Sequence, residues 1–260
     1  MCCNLYTGRM TLMISDKVKT ILLDKMTIIK QSNNKDICLV GPIKLPVKLD
    51  NQDITFQWYT WLSLEGFPSE KENLLESLAT TDLAELQQSS VLAYGDFKNS
   101  EEAYTRMHSI CHTGDIFGSQ RCDCGYQLRQ SMKMIVEHGS GALFYLANHE
   151  GRGIGLFPKS LAYILQEEGY DTVEANNALG FPDDIRSYEE AIQVLNVLRE
   201  KPVTLITNNP KKINALKSNG LIIHDHIPLW GGESDYNSLY LATKVAKSGH
   251  IQNSEITIAN

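Results

Sequence analysis

The sequence predicts an α/β fold, shading into α+β at its N-terminal end, with a central sheet flanked by helices. Three observations carry this expectation. From about residue 90 onward, short apolar runs alternate with stretches whose apolar residues recur at helical spacing. The segments between them are punctuated by Gly, Asn, Asp and Pro at the positions where strands end and helices open. Before residue 65, β-branched and aromatic runs dominate and predict a β-rich region. The expected organisation is an N-terminal β-rich subdomain with a helical insertion over 1–90, an α/β domain over 91–250 and a tail over 251–260.

Composition narrows the possibilities. The 260 residues suffice for a large core without disulfide staples, and 42% apolar with 21% charged residues is ordinary for a soluble globular chain. A net charge of -7 argues against a basic coat for a nucleic-acid polymer, yet leaves room for a small anion held by a few local cations. No run of about 18 apolar residues is present, so no transmembrane helix and no membrane partner are expected. Asp16, Lys17, Lys19, Asp24 and Lys25 interrupt any secretory apolar segment, so the expected location is cytoplasmic. Cys2 and Cys3 read as incidental thiols of a terminus, with lipidation or metal binding as the alternatives, and Cys38 reads as a small core residue.

Taken in order, Thr20-Ile21-Leu22-Leu23 and Thr27-Ile28-Ile29 read as short strands around a polar turn. Residues 54–64, with Phe56, Trp58, Tyr59, Trp61 and Leu62, read as a strand packed on the core, or alternatively as an aromatic ligand platform. Residues 69–88, without Gly or Pro after Pro68, read as a surface helix or an ordered insertion, with a solvated face. Val91 to Tyr94 and Ala103 to His108 read as strands, and Tyr126 to His138 as a helix, since Leu128, Met132, Ile135 and Val136 share one face. Ala142 to Ala147 has the continuous apolar character of a buried strand. Pro158 suits the first turn of a helix carrying Leu161, Ile164 and Leu165. The segment from Gly169 to Pro182 reads as irregular, Tyr188 to Arg199 as a helix, Val203 to Ile206 as a strand, and Pro210 as the start of another helix.

Four constellations carry chemistry. Cys111, Cys122 and Cys124 place three thiols within fourteen residues, a set of soft donors suited to zinc. Three ligands leave a fourth position for water; a closed site completed by His108 or His112, and three unligated thiols, are the alternatives. The loop Glu150-Gly151-Arg152-Gly153-Ile154-Gly155 offers backbone amides and Arg152 to a phosphate, with Glu150 as an acceptor for an amidine-like base edge, or else is a tight turn with an internal ion pair. Thr207-Asn208-Asn209-Pro210-Lys211-Lys212 is a helix N-terminus with two lysines, read as an anion site or a solvated pair. Asp183-Asp184-Ile185-Arg186 reads alone as surface ion pairing, and Tyr163 as half-buried packing.

Together and in this order, these elements resemble the GTP cyclohydrolase II family. The resemblance rests on His108-Ser109, Cys111, Thr113-Gly114-Asp115, Arg121-Cys122-Asp123-Cys124-Gly125, Glu150-Gly151-Arg152, Gly169 through Asn176, Leu179-Gly180-Phe181 and Thr207 through Lys212. It covers about 90–250, with a fainter match at Lys44-Leu45-Pro46. It implies a Zn2+ on Cys111, Cys122 and Cys124, whose water attacks C8 of guanine. Formate and pyrophosphate would leave, giving a diamino(phosphoribosylamino)pyrimidinone of the riboflavin pathway. The family assigns the arginine matching Arg186 as nucleophile on the α-phosphate, the aspartate matching Asp184 as its proton acceptor, and the tyrosine matching Tyr163 to the ring being opened. Nucleotide-binding positions carry over to Arg106, His108, Ser109, Gln127, Glu150, Gly151, Arg152, Thr172, Thr207 and Lys212. The resemblance further implies Mg2+ on the triphosphate and a homodimer. The first 90 residues are short for a second catalytic domain, so a single activity is expected.

The chain departs from the family pattern at three places. Ile110 stands where the family has an acid beside the first thiol, which predicts the loss of a polar contact to the ligand. Asn148-His149 and Leu161 predict reduced polarity or charge near the glycine loop. These departures give three further expectations: a paralogue stopping at a formamidopyrimidine, one using another purine nucleotide, or a zinc-stabilised nucleotide-binding protein without turnover.

Overall fold

The computed structural model describes residues 14–31, 35–247 and 249–250. Cys2, Cys3 and the 251–260 tail lie outside them. The strands are β1 (Met26–Ile29), β2 (Ile37–Leu49), β3 (Gln52–Ser63), β4 (Ser90–Tyr94), β5 (Tyr104–Ser109), β6 (Gly141–Leu146), β7 (Val203–Ile206) and β8 (Ile223–Ile227). The helices are α1 (Asp16–Asp24), α2 (Lys71–Ser77), α3 (Cys124–His138), α4 (Leu156–Glu167), α5 (Thr172–Ala178), α6 (Glu189–Leu198), α7 (Pro210–Ser218) and α8 (Ser238–Ala246).

All eight strands form one mixed sheet in the order β1-β2-β3-β4-β6-β5-β7-β8. The N-terminal half is an antiparallel meander from β1 to β4, and β4 joins β6 antiparallel. Beyond it, β6, β5, β7 and β8 run parallel, as the alternation of strands and helices requires. The apolar runs of β6 and β7 are buried on both faces. Phe144 and Leu146 meet Ile192 and Leu195 of α6 and Leu216 of α7 on one face, while Leu143 meets Met132 and Ile135 of α3 on the other. Arg199, 1% exposed, ends α6 by donating to the carbonyls of Phe97, Ser100, Glu101 and Pro202, which ties that helix to the turn after β4.

The chain leaves β5 toward β6 on one side and leaves β7 toward β8 on the other. A crevice therefore opens at the carboxyl ends of β5 and β7, the place where parallel sheets receive ligands.

Three readings of the sequence are corrected. Thr20 to Leu23 lies inside α1, because Val18, Ile21 and Leu22 keep i, i+3, i+4 spacing after Ser15, and a four-residue apolar run does not distinguish strand from helix. The 69–88 segment contains only the two-turn α2 followed by short 3-10 turns at 78–80 and 83–85, and Leu74 and Leu75 are buried rather than solvated. The segment from Gly169 to Pro182 is not irregular throughout: it contains α5, started by the Asp171 and Glu174 capping box. Cys38 is buried as expected, and Phe56 and Trp61 are core residues, the Trp61 indole N–H donating to Glu190.

Candidate active site

The crevice holds a cavity of about 220 Å³. Its wall includes the thiols and the catalytic and nucleotide-binding positions that the resemblance implies: Cys111, Cys122, Cys124, Tyr163, Asp184, Arg186, Arg106, His108, Ser109, Gln127, Glu150, Gly151, Arg152, Thr172, Thr207 and Lys212. Segments far apart in the chain supply them because β5, β6 and β7 all end at this edge.

The thiol trio is built by the exit from β5. A π-helical turn, His112–Ile116, follows Cys111 and brings the chain back so that Cys122 and Cys124 at the head of α3 face it. The three sulfurs lie within 4.8 Å of one another, with Cys111 and Cys122 Sγ 3.6 Å apart. Gly114 packs beneath them: a Cβ there would sit 2.9 Å from Cys122 Sγ and 3.1 Å from Cys111 Sγ. Among the described residues no histidine or carboxylate joins the cluster. His108 Nε2 faces the Asp115 carboxylate at 3.1 Å, and the His112 ring packs edge-on against Phe117. Three soft donors, Cys111 and Cys122 buried and Cys124 half-buried, with no fourth among the described residues, fit a zinc ion with one open position. Hydrogen bonds from Cys122 and Cys124 hold the Cys111 thiol low, while the same contact pushes Cys122 up to about 11.

Contacts around the thiols are polar and satisfied. Asp115 accepts from the Cys111 amide at 2.9 Å and from the Tyr145 hydroxyl at 3.0 Å. Lys159 Nζ lies 3.3 Å from Cys111 Sγ, 3.3 Å from Thr113 Oγ1 and 2.6 Å from Glu150 Oε1. Burial would lower the Lys159 pKa, but Cys111, Tyr163 and Glu150 raise it, so the ammonium stays charged. Glu150 also accepts from the His112 amide at 2.7 Å, which binds the glycine loop to the thiol turn. The Tyr163 hydroxyl is 3.3 Å from Thr113 Oγ1, and the Arg121 guanidinium sits 4.3 Å from its ring centre. Beside Ile110, the polar contacts to Cys111 come from Asp115 at its amide and from Lys159 at its sulfur. Leu161 lies outside the cavity wall and is 38% exposed; the cation near the loop is Lys159, two residues earlier.

The other wall is cationic. Arg106 donates to the Ile206 carbonyl at 2.9 Å and to Gln127 Oε1 at 2.5 Å, and Gln127 passes on to Asp123. Lys212 Nζ donates to the Met107 carbonyl at 2.9 Å, and burial with Arg186 and Arg106 nearby drives its pKa well below the ordinary lysine value. Asn209 caps α7 by accepting from the Lys212 amide, directing that helix start at the cavity. Arg186 donates through Nε to Asp184 at 2.8 Å, through Nη2 to the same carboxylate at 2.5 Å, and through Nη1 to Ser109 Oγ at 3.2 Å. Asp183 pairs with Arg152, a non-glycine residue held at φ +64°, where backbone strain concentrates at functional loops. Arg106, Arg186 and Lys212 crowd together with burial working against their charge, an arrangement that a polyanion would relieve.

Two contributors escaped the sequence reading. Lys159 shares a face of α4 with Tyr163, and Lys244 shares a face of α8 with Tyr240, both at i, i+4. Lys244 Nζ lies 2.6 Å from Asp123 and 4.5 Å from the Tyr240 ring centre, and both residues line the cavity. That Lys/Tyr spacing was the available signal.

The GTP cyclohydrolase II family model matches residues 70–228 of the chain. The riboflavin biosynthesis protein RibBA of Synechocystis sp. is 56% identical over 145 residues, 56% of this chain and 26% of that protein. RibBA of Bacillus subtilis is 50% identical over 158 residues, 60% of this chain and 39% of its own length. The protein named GTP cyclohydrolase-2 of Colwellia psychrerythraea is 47% identical over 165 residues, 64% of this chain and 81% of its own. The chain thus spans well under half the length of the RibBA relatives and most of the shorter one. With the family model covering more than half of the chain, the protein belongs to the GTP cyclohydrolase II family.

Proposed function

We propose that the chain is a zinc-dependent GTP cyclohydrolase of the riboflavin pathway, releasing formate and pyrophosphate. One observation carries the reading: a single cavity holds a three-thiol set at one end and Arg106, Arg186 and Lys212 at the other. Cys111, Cys122 and Cys124 would hold the zinc, which when bound would supply a water acidified toward neutral pH for attack at C8 of guanine. Tyr163 stands beside that end and can exchange a proton with the opening ring, while Glu150 accepts from the guanine N–H edge. At the other end, Arg186 forms an N–P bond to the α-phosphate as the bond to the pyrophosphate oxygen breaks, and its proton passes to Asp184. Water then cleaves the N–P bond and restores the guanidine. Arg106, Arg152, Thr172, Thr207 and Lys212 hold the phosphates, with Ser109, His108 and Gln127 fixing their positions, and Mg2+ travels with the triphosphate. The assembly proposed is a homodimer acting in the cytoplasm; among the described residues no helix is long and apolar enough to cross a membrane.

The test is to incubate zinc-loaded protein with GTP and Mg2+ and to follow formate, pyrophosphate and product mass. Equal formate and pyrophosphate with a deformylated pyrimidine are expected. A formamide product, or no formate from GTP with zinc confirmed bound, would overturn the reading.

A further inference from the structure

We propose that His149 is a positioning residue for Arg186, fixing the guanidinium through Ser109 and through the backbone of Ser187. The proposal rests on the role given to Arg186 above and assigns the residue that orients it.

His149 lies in the turn after β6, immediately before Glu150, and is 2% exposed. Its Nε2 is 2.8 Å from the Ser187 carbonyl oxygen. A carbonyl only accepts, so Nε2 carries the proton and Nδ1 of the neutral ring is an acceptor. Ser109 Oγ, 3.2 Å from Nδ1, therefore donates its proton to His149. That leaves the Oγ lone pairs for the Arg186 Nη1–H, also at 3.2 Å. The direction of each bond is thus set by the one before it: Arg186 donates to Ser109, Ser109 to His149, and His149 to Ser187.

The protonation state agrees with this direction. Burial, with Arg186 and Lys212 adding repulsion and the Ser187 carbonyl and Asp184 opposing it, pushes the His149 pKa down to about 3. A protonated ring would have no acceptor for Ser109 and would set a cation against two others. The Tyr188 ring packs edge-on to the imidazole, centroids 4.9 Å apart at 88°, and holds its plane.

The consequence is geometric. Asp184 fixes the Nε and Nη2 edge of Arg186, and Ser109 fixes Nη1, so the two together define the guanidinium plane. Without an acceptor at His149, the Ser109 hydroxyl is free to turn its proton toward Arg186, and that anchor is lost. His149 also donates to the backbone one residue beyond Arg186, which ties the glycine loop to the segment that carries Asp184 and Arg186. The Asn148-His149 departure adds a polar contact on the phosphate side, where the sequence suggested a loss of polarity.

The experiment compares zinc-loaded, full-length wild type with His149→Leu, His149→Gln, Ser109→Ala and the His149→Leu/Ser109→Ala double variant, measuring pyrophosphate release from GTP with Mg2+. A glutamine amide reproduces both the N–H donor and the acceptor; leucine reproduces neither. Misplacing a group that acts only in the transition state lowers kcat rather than raising KM. His149→Leu is expected to lower kcat about tenfold or more with KM changed by less than about twofold, His149→Gln to stay within about threefold of wild type, and the double variant to fall no further than the worse single one. Independently of turnover, the Nε–H resonance of Arg186, identified by its loss in Arg186→Lys, should be sharp in wild type and His149→Gln and broadened in His149→Leu. Wild-type kcat in a folded His149→Leu protein, or equal loss in the leucine and glutamine variants with matching loss of thermal stability, overturns the proposal. A wild type that releases no pyrophosphate while its Arg186 resonance still depends on His149 overturns the functional reading and leaves the positioning intact.

Discussion

Lys159 meets three partners: a buried carboxylate and a thiol poised as thiolate, both of which need a cation, and a threonine hydroxyl. Three thiolates around the proposed zinc would leave a net negative centre, which the ammonium at 3.3 Å from Cys111 Sγ would offset. Lys159→Met keeps the stem and removes the charge, so it leaves Glu150, 3% exposed, without its cation. Breaking a buried pair in this way costs about 3 kcal/mol or more, and loss of a contact to a ligand weakens metal binding about tenfold or more. Competition for zinc against a chromophoric chelator, together with denaturant unfolding, checks both; unchanged zinc affinity would show that Lys159 serves only Glu150. The thiols themselves were legible because donors of one type cluster in sequence, whereas Lys159 reaches them only through the packing of α4 over the thiol turn.

At the scale of elements, α5 shows how a short helix survives at a ligand site. It has only seven residues, and Asp171 accepts from the Val173 and Glu174 amides while Glu174 returns to the Asp171 amide. Lys247, just beyond α8, pairs with both acids, so the cap also anchors α8 above the cavity. Asp171→Ala is expected to destabilise by about 1 kcal/mol, faster hydrogen exchange appearing first in α5 and α8. Because Thr172 opens α5 and Lys244 sits on α8, KM for GTP should rise as well; α8 amides as protected as in wild type would contradict the anchoring. The sequence held this signal in Asp171-Thr172-Val173-Glu174, but a helix this short has too little apolar periodicity to stand out beside Gly169 and Pro182. Elements from β4 to α7 otherwise read correctly where pattern and punctuation agreed, as at Pro158 and Pro210. Thr20 to Leu23 reads as a strand because a four-residue apolar run is too short to show its period, and α1 buries no residue that would reveal it. The pairing of β4 with both β3 and β6 joins segments far apart in the chain, and nothing local encodes it.

For the molecule as a whole, bringing three strand ends together buries groups that titrate near neutrality, and this makes stability depend on pH. His149 and His250 are held neutral, with pKa values pushed by burial down to about 3 and about 4. In the unfolded chain each histidine titrates near 6.5. Their folded values are depressed, so the unfolded state binds protons that the folded state refuses, and stability falls as pH drops below about 6.5 toward the folded values. It is fully present above that range. For His149 the loss between neutrality and about pH 5 is about 2 kcal/mol, from roughly 1.4 kcal/mol per pH unit. The measurement is denaturant unfolding of wild type and His149→Gln at matched pH and metal content, so that acid release of zinc is common to both. The advantage of wild type over the variant should shrink by about 2 kcal/mol over that interval, with His250 adding a loss of the same sign to both proteins. Parallel curves would mean that His149 takes up its proton as readily in the folded state as in the unfolded one, and the bond between Ser109 and His149 would then have to run from the ring N–H to the hydroxyl.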